Sequence, residues 1–315
     1  MPGFFMRAAL AAAAASTLST PFASAGAAQP AREEAAASTR FSVTVEGKGP
    51  DLILIPGLMS SRAVWDGAVA SLAGKYRLHR VQLSGFAGEP ARGNIEGHIL
   101  PGVVEELDSY IRANRLRRPA IAGHSMGGLL AMMLAAKHPD SVGRVLVVDA
   151  LPFYSLMFGA DATVASVEPR AAAFRDSIAA MPDEAWSGQQ ARTAAMLVRT
   201  EAARPRLIAD SLASDRAVAA RAVYEVMTMD ARPLLASIAA PLTVVFATNA
   251  YAPEATIGPL YRSAYAKAPS ARLVEIGDSY HFVMTDQSDR FNALLSEFLL
   301  REEPFSDGAA APAKD

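Results

Sequence analysis

The segment 119–128, PAIAGHSMGG, decides the fold because Gly-x-Ser-x-Gly joins a short apolar run directly to an apolar helical pattern. Strand, Gly-x-Ser-x-Gly and helix in this order are typical of a nucleophile elbow, where the serine is strained and its hydroxyl stands above the sheet. Glycine is needed on either side because a Cβ there would collide with neighbouring backbone. The motif predicts Ser125 as a nucleophile and the amide of Met126, at the start of the helix, as a donor to an oxyanion.

Outward from this segment, strand-like and helix-like patterns alternate along the chain. Residues 41–45 alternate apolar and polar side chains, as an edge strand does. An unbroken apolar run follows at 52–55, and further short apolar runs at 119–122, 145–148, 242–246 and 273–276. Helical periodicity occupies 100–114, 126–138 and 288–300. Continuous apolar strands separated by helices predict an α/β fold with a mostly parallel sheet and helices on both faces.

One long stretch interrupts this alternation. Residues 152–236 are rich in alanine and favour helix, and no strand pattern appears between the runs 145–148 and 242–246. We interpret 152–236 as a helical cap inserted into a core made of 40–151 and 237–302. The apolar start of the insertion is suited either to lining a cavity or to packing the cap onto the core.

The two ends of the chain have the composition of segments outside the fold. Arg7, a short apolar run and a small-residue site at 23–25 predict an export signal over 1–25, cleaved after Ala25. That run is too short to span a membrane, so we expect no stable membrane span after cleavage and a periplasmic or secreted protein. Residues 26–39 read as a flexible linker, and 303–315 as a disordered tail.

Composition excludes several classes of function. The 30 basic and 32 acidic residues give a net charge of −2 without a basic block, so nucleic acid is not an expected partner. The chain has no cysteine, which removes disulfides, a thiolate nucleophile and sulfur-bound metal. No cluster of metal ligands and no dinucleotide-binding glycine motif is present, so we predict no metal site and no cofactor.

With this elbow and this order of elements, residues 40–301 resemble the α/β-hydrolase family. The resemblance implies the α/β-hydrolase fold and a serine hydrolase that needs no cofactor. The turn Pro56-Gly57-Leu58 is similar to the family's His-Gly-x turn, whose third residue supplies a second oxyanion amide. By that resemblance Leu58 is the second donor beside Met126, and the proline removes only a supporting side chain.

A serine needs a base to take its proton, and five histidines are available. Only His281 follows the last predicted strand, where the family carries its catalytic imidazole. It also comes last along the chain, as the family's order of serine, acid and histidine requires. His124 lies within the elbow, with its side chain expected to point away from the reacting face. We therefore predict His281 as the general base.

The acid is left open between three residues. The loop after the run 242–246 lacks the family's usual aspartate; Asn249 is nearest that position, and Glu254 lies further along. Asp149 follows the run 145–148, where some α/β-hydrolases, haloalkane dehalogenases among them, place this group. We favour Asp149, with Glu254 and Asn249 as alternatives, while a cap at the start of the insertion would also explain Asp149.

These residues predict hydrolysis of a small-molecule carboxylic ester or lactone through an acyl-enzyme on Ser125. Two other hypotheses remain. A non-catalytic ligand-binding or sensing protein on the same fold would explain the missing aspartate near Asn249. Perhydrolysis or carbon–carbon bond hydrolysis, both known among α/β-hydrolases with this elbow, would use the same serine.

Overall fold

Seven strands form one sheet in the computed structural model, which describes residues 38–268 and 271–301. The strands are β1 (Phe41–Gly47), β2 (Asp51–Ile55), β3 (Arg77–Leu83), β4 (Ala120–His124), β5 (Arg144–Val148), β6 (Leu242–Ala247) and β7 (Arg272–Ile276). Their order across the sheet is β1-β3-β2-β4-β5-β6-β7, with β1 antiparallel to β3 and every other pair parallel. The predicted mostly parallel sheet is confirmed, and β4 lies at its centre.

Helices cover both faces of the sheet, as the unbroken apolar strands predict. They are α1 (Asp66–Leu72), α2 (Ile99–Ala113), α3 (Met126–Lys137), α4 (Val164–Ala180), α5 (Asp183–Leu197), α6 (Arg204–Leu212), α7 (Arg216–Thr228), α8 (Glu254–Ala264), α9 (Val283–Asp286) and α10 (Ser288–Leu300). The predicted helices 100–114, 126–138 and 288–300 agree within one residue with α2, α3 and α10.

Two hydrophobic cores lie on opposite faces of the sheet. Side chains of a strand alternate between faces, so Ile53 and Ile55 of β2 join one core while Leu52 and Leu54 join the other. Helices α2, α3 and α8 pack on the first face, and α1, α9 and α10 on the second. Helix α3 is buried along almost its whole length, which fixes the residue that precedes it at the carboxyl edge of the sheet.

Four helices, α4 to α7, lie between β5 and β6, in agreement with the predicted helical cap. Buried carboxylates join this cap to the core. Glu225 of α7 accepts hydrogen bonds from the amides of Ile99 and Leu100, at 2.8 Å each, and so satisfies the free amino end of α2. Asp210 of α6 accepts from the amide of Ser61 at 3.2 Å. The cap is thereby hydrogen-bonded to elements on the core.

The predicted export signal 1–25 and tail 303–315 lie outside the described residues, as do residues 26–37 of the predicted linker. The prediction of a flexible linker that extends to position 39 is wrong for its last two residues. Ser38 and Thr39 both donate hydrogen bonds to the carboxylate of Glu106 on α2, so they belong to the folded domain. None of the helices within 38–268 and 271–301 is long and apolar enough to cross a membrane.

Candidate active site

The turn between β4 and α3 holds Ser125 in a strained conformation. Its backbone angles are φ 54° and ψ −121°, in a region that residues with a Cβ rarely adopt. A Cβ on Gly123 would lie 2.1 Å from the carbonyl oxygen of Gly127, and one on Gly127 would lie 2.3 Å from that of Ile55. The two glycines are therefore required by close backbone approach, as the sequence motif predicts.

The turn after β2 lies against this elbow. A Cβ on Gly57 would come within 3.1 Å of the Cβ of Ser125, so the two turns are in contact. Met59, two residues on, has a positive φ of 52°. Among the described residues, the amides of Leu58 and Met126 donate to no carbonyl or side chain. Two unpaired amides on adjoining turns beside a serine are suited to receive an oxyanion.

Asp149 and His281 meet at the carboxyl edge of the sheet. The Nδ1–H of His281 donates to Oδ2 of Asp149 over 2.7 Å, and their side chains are 24% and 15% exposed. Asp149 follows β5 with a positive φ of 49°, and its amide donates to the carbonyl of Val245 at 2.8 Å. The carboxylate is thus fixed by the neighbouring strands β5 and β6.

The second oxygen of Asp149 has two donors of its own. Oδ1 accepts from the amide of Ala247 at 2.9 Å and from the hydroxyl of Tyr261 at 3.1 Å. Sequence reasoning did not identify Tyr261. Its spacing of four residues from Tyr265 places both rings on one face of α8, but the spacing does not indicate which carboxylate that face meets.

The structure brings neither alternative acid to His281. The side chain of Asn249 donates to the carbonyl of Ser279 at 3.0 Å and accepts from the amides of Tyr251 and Ala252. It therefore closes its own turn and supports the loop that carries the histidine. Glu254 lies in the first turn of α8 and pairs with Arg262 at 3.0 Å.

Hydrogen bonds from three directions hold the loop of His281. The Nε2–H of His124 donates to the carbonyl of His281 at 3.0 Å. The amide of Phe282 donates to the carbonyl of Leu197, at the end of α5, over 3.3 Å. Oδ2 of Asp286 accepts from the amide of Tyr280 at 2.9 Å. The backbone around the imidazole is thus fixed by the elbow, the cap and α9.

Asp286 also reaches into the cap. Its two oxygens accept from the amides of Arg199, at 3.0 Å, and Thr200, at 2.8 Å, which lie between α5 and α6. One carboxylate therefore joins a cap turn to the amide of Tyr280, directly before His281.

His124 lies beneath the elbow and is completely buried. Its ring centroid is 4.5 Å from that of His281. Burial, together with the neighbouring imidazole, holds the pKa of His124 well below its usual value. The ring is therefore neutral and donates through Nε2 to the carbonyl of His281. Among the described residues, this ring makes no hydrogen bond with the hydroxyl of Ser125.

The imidazole of His281 lies beside His124, the residue before Ser125, and its Nδ1 is hydrogen-bonded to Asp149. Among the described residues, no hydrogen bond joins the Oγ of Ser125 to His281. Catalytic hydrogen bonds are often long in an enzyme without substrate and tighten when substrate binds. The arrangement leaves Nε2 available to accept a proton.

A family model described as the alpha/beta hydrolase family matches residues 52–294. The chain belongs to the alpha/beta hydrolase family. This membership confirms the resemblance and the fold inferred from the elbow.

Curated relatives of this alpha/beta hydrolase include pimeloyl-[acyl-carrier protein] methyl ester esterases. The one from Aeromonas hydrophila subsp. hydrophila is 38% identical over 116 residues, which are 36% of this chain and 44% of the relative. The one from Nitrosomonas europaea is 32% identical over 115 residues, 36% of this chain and 42% of the relative. The chain thus matches less than half the length of these curated relatives.

Solved structures share the fold at lower identity. The enol-lactonase from Burkholderia xenovorans LB400 superposes with a TM-score of 0.68 at 18% identity, covering 83% of this chain and 96% of that one. An esterase from Exiguobacterium antarcticum gives a TM-score of 0.69 at 15% identity, with coverages of 83% and 96%. At these identities the likeness establishes the architecture alone.

Proposed function

We propose that this alpha/beta hydrolase cleaves carboxylic esters or lactones by acyl transfer, with Ser125 as nucleophile, His281 as base and Asp149 as acid. The observation that carries the proposal is the 2.7 Å hydrogen bond between His281 and Asp149 beside the strained serine turn. Membership of the family and the names of relatives, a methyl ester esterase and an enol-lactonase, support the same class of reaction.

In the first half of the reaction, Oγ of Ser125 attacks the carbonyl carbon while Nε2 of His281 takes its proton. Asp149 holds the imidazole in the tautomer whose Nε2 can accept that proton, and it stabilises the imidazolium that forms. The carbonyl oxygen becomes an oxyanion at the amides of Leu58 and Met126. When the intermediate collapses, the bond to the alkoxide breaks, and His281 returns the proton to the departing alcohol.

In the second half, water attacks the acyl carbon and gives a proton to His281. The new intermediate collapses with release of the carboxylic acid, and the proton returns to Oγ of Ser125. No redox step or cofactor enters this sequence, since every proton and electron pair stays among serine, imidazole, water and ester. A lactone follows the same path, except that its alcohol and acid leave as one molecule.

A panel of p-nitrophenyl esters from acetate to dodecanoate, together with a simple lactone, tests this proposal. We expect turnover of ~1–10³ s⁻¹ on at least one of these substrates. A fluorophosphonate probe is expected to label a single serine, identified as Ser125 by peptide mass spectrometry. If the protein neither labels nor hydrolyses any of these substrates, it is a non-catalytic binding protein, and the proposal is wrong.

We also propose that the protein is exported, on the strength of the signal pattern over 1–25. Removal of this segment after Ala25 leaves a mature chain that begins at Gly26 and acts in the periplasm or outside the cell. The intact mass of protein recovered from the periplasm or medium measures the cleavage. A mass that still includes residues 1–25 would contradict export by a cleaved signal.

A further inference from the structure

The carboxylate of Asp149 uses its two oxygens differently. Oδ2 faces the imidazole of His281 at 2.7 Å, whereas Oδ1 accepts from the amide of Ala247 and the hydroxyl of Tyr261. The amide belongs to β6 and is fixed by the sheet. The hydroxyl belongs to α8 and is the one side-chain donor on Asp149 among the described residues besides the histidine.

The ring of Tyr261 stacks against two other aromatic rings. It is 5% exposed and stacks on Phe246, with ring centroids 4.8 Å apart and planes inclined by 22°. Tyr265 lies nearly parallel to it, at 6.2 Å and 11°. Burial, and after it the charge of Asp149, raises the pKa of Tyr261 well above its usual value. The phenol therefore keeps its proton and donates a hydrogen bond to the carboxylate.

We infer that Tyr261 is a positioning residue of the reaction: its hydroxyl orients Asp149 and draws negative charge away from the oxygen that faces His281. The inference rests on the proposed function. A carboxylate with fewer donors attracts a proton on its neighbour more strongly. Without the hydroxyl, Asp149 gains freedom to rotate about its side-chain bonds, and the imidazole takes up a proton at higher pH.

Among the described residues, the side chains of His124, Tyr261 and Tyr265 lie beside the histidine and aspartate, and the carboxylate of Asp286 is bound to the amide of Tyr280, directly before His281. His124 lies under the imidazole and is neutral because it is buried. Tyr261 faces the carboxylate from α8, and Tyr265 lies behind it. Burial raises the pKa of Tyr265 well above its usual value, as for Tyr261. The pKa of His124 is held well below its usual value and the pKa values of both tyrosines lie well above theirs, so none of these three groups changes charge near neutral pH.

Tyr265 offers a matched control. It is 2% exposed, and its hydroxyl donates to the carbonyl of Ala150 at 2.6 Å. Tyr265→Phe therefore removes a buried hydroxyl from the same ring stack, as Tyr261→Phe does, but takes no donor from the carboxylate. Loss of one buried hydrogen bond is common to both variants.

The experiment compares wild type, Tyr261→Phe and Tyr265→Phe in two measurements. The first is the pH profile of kcat and kcat/KM on the best p-nitrophenyl ester. For Tyr261→Phe we expect kcat about tenfold lower, since a bond to a charged group is lost, with KM within about twofold. We expect the acid limb of kcat/KM to move to higher pH by about 0.5. For Tyr265→Phe we expect kcat within about twofold and an unmoved acid limb.

The second measurement is independent of activity. The ring resonances of His281 are followed by NMR against pH, assigned by comparison with His281→Gln. We expect the pH at the midpoint of the His281 titration to rise in Tyr261→Phe and to stay unchanged in Tyr265→Phe. A midpoint equal in both variants overturns the role of Tyr261, even if the panel of esters is not hydrolysed. A midpoint that rises only in Tyr261→Phe supports it, whereas a lack of hydrolysis by wild type counts against the proposed function alone.

Discussion

Replacement of Ser125 by alanine is expected to reduce ester hydrolysis by about 10⁵-fold or more and to abolish labelling by a fluorophosphonate. The nucleophile and the base act as a unit, so loss of either removes almost the whole rate enhancement, apart from what the oxyanion donors supply. The fold should survive because alanine meets the same positive φ as serine and fills less space.

The measurement is kcat/KM on the best ester, with circular dichroism and thermal unfolding of both proteins. Ser109→Ala is a suitable control because Ser109 lies exposed on α2 and, within the part of the chain that the structure describes, bonds only its own helix, through the carbonyl of Glu105 at 2.9 Å. We expect this control to hydrolyse and to label as wild type does. Wild-type turnover by Ser125→Ala would mean that another group is the nucleophile.

Asp149→Asn is expected to lower kcat by ~10³–10⁴ while leaving the geometry of the site in place. The asparagine amide can present an N–H toward Nδ1 of His281, which favours the tautomer with its proton on Nε2. That proton occupies the lone pair that must accept from Ser125. The variant also removes the negative charge that stabilises the imidazolium, so both stages of the reaction slow.

Glu254→Gln is the matched control for this prediction, because it makes the same carboxylate-to-amide change at the alternative acid. Its partner Arg262 lies at the surface, where such ion pairs contribute little, so activity within about twofold of wild type is expected. The choice of Asp149 would be falsified if Glu254→Gln lost activity as severely while Asp149→Asn kept it.

Much of the framework could be predicted from local sequence. Apolar runs of four or five residues indicate buried strands, and the helix after the elbow begins at Met126, as the motif requires. The elbow is predictable because its glycines are required by close approach of backbone to backbone. Gly123 and Gly127 approach each other or the neighbouring strand β2 too closely for any Cβ. Such constraints leave a readable pattern in the chain.

The acid could not be chosen by the same reasoning. Asp149, Asn249 and Glu254 each follow a strand or begin a helix, where capping alone would explain them. The decisive contact joins residues 132 positions apart, and the hydroxyl of Tyr261 reaches Asp149 across 112 positions. Neither separation can be inferred from a periodic pattern in the sequence. Both contacts depend on the pairing of β5 with β6 and on how α8 packs against the sheet.

The carboxylate of Asp286 has a mechanical consequence. It accepts hydrogen bonds from the turn at Arg199 and Thr200 and from the amide of Tyr280. Charge-assisted bonds therefore connect the cap to the loop that carries His281. We expect a displacement of this cap turn to move the imidazole of His281 away from Ser125. Ser125 would then lack its proton acceptor, so we expect turnover only while the cap turn is in place.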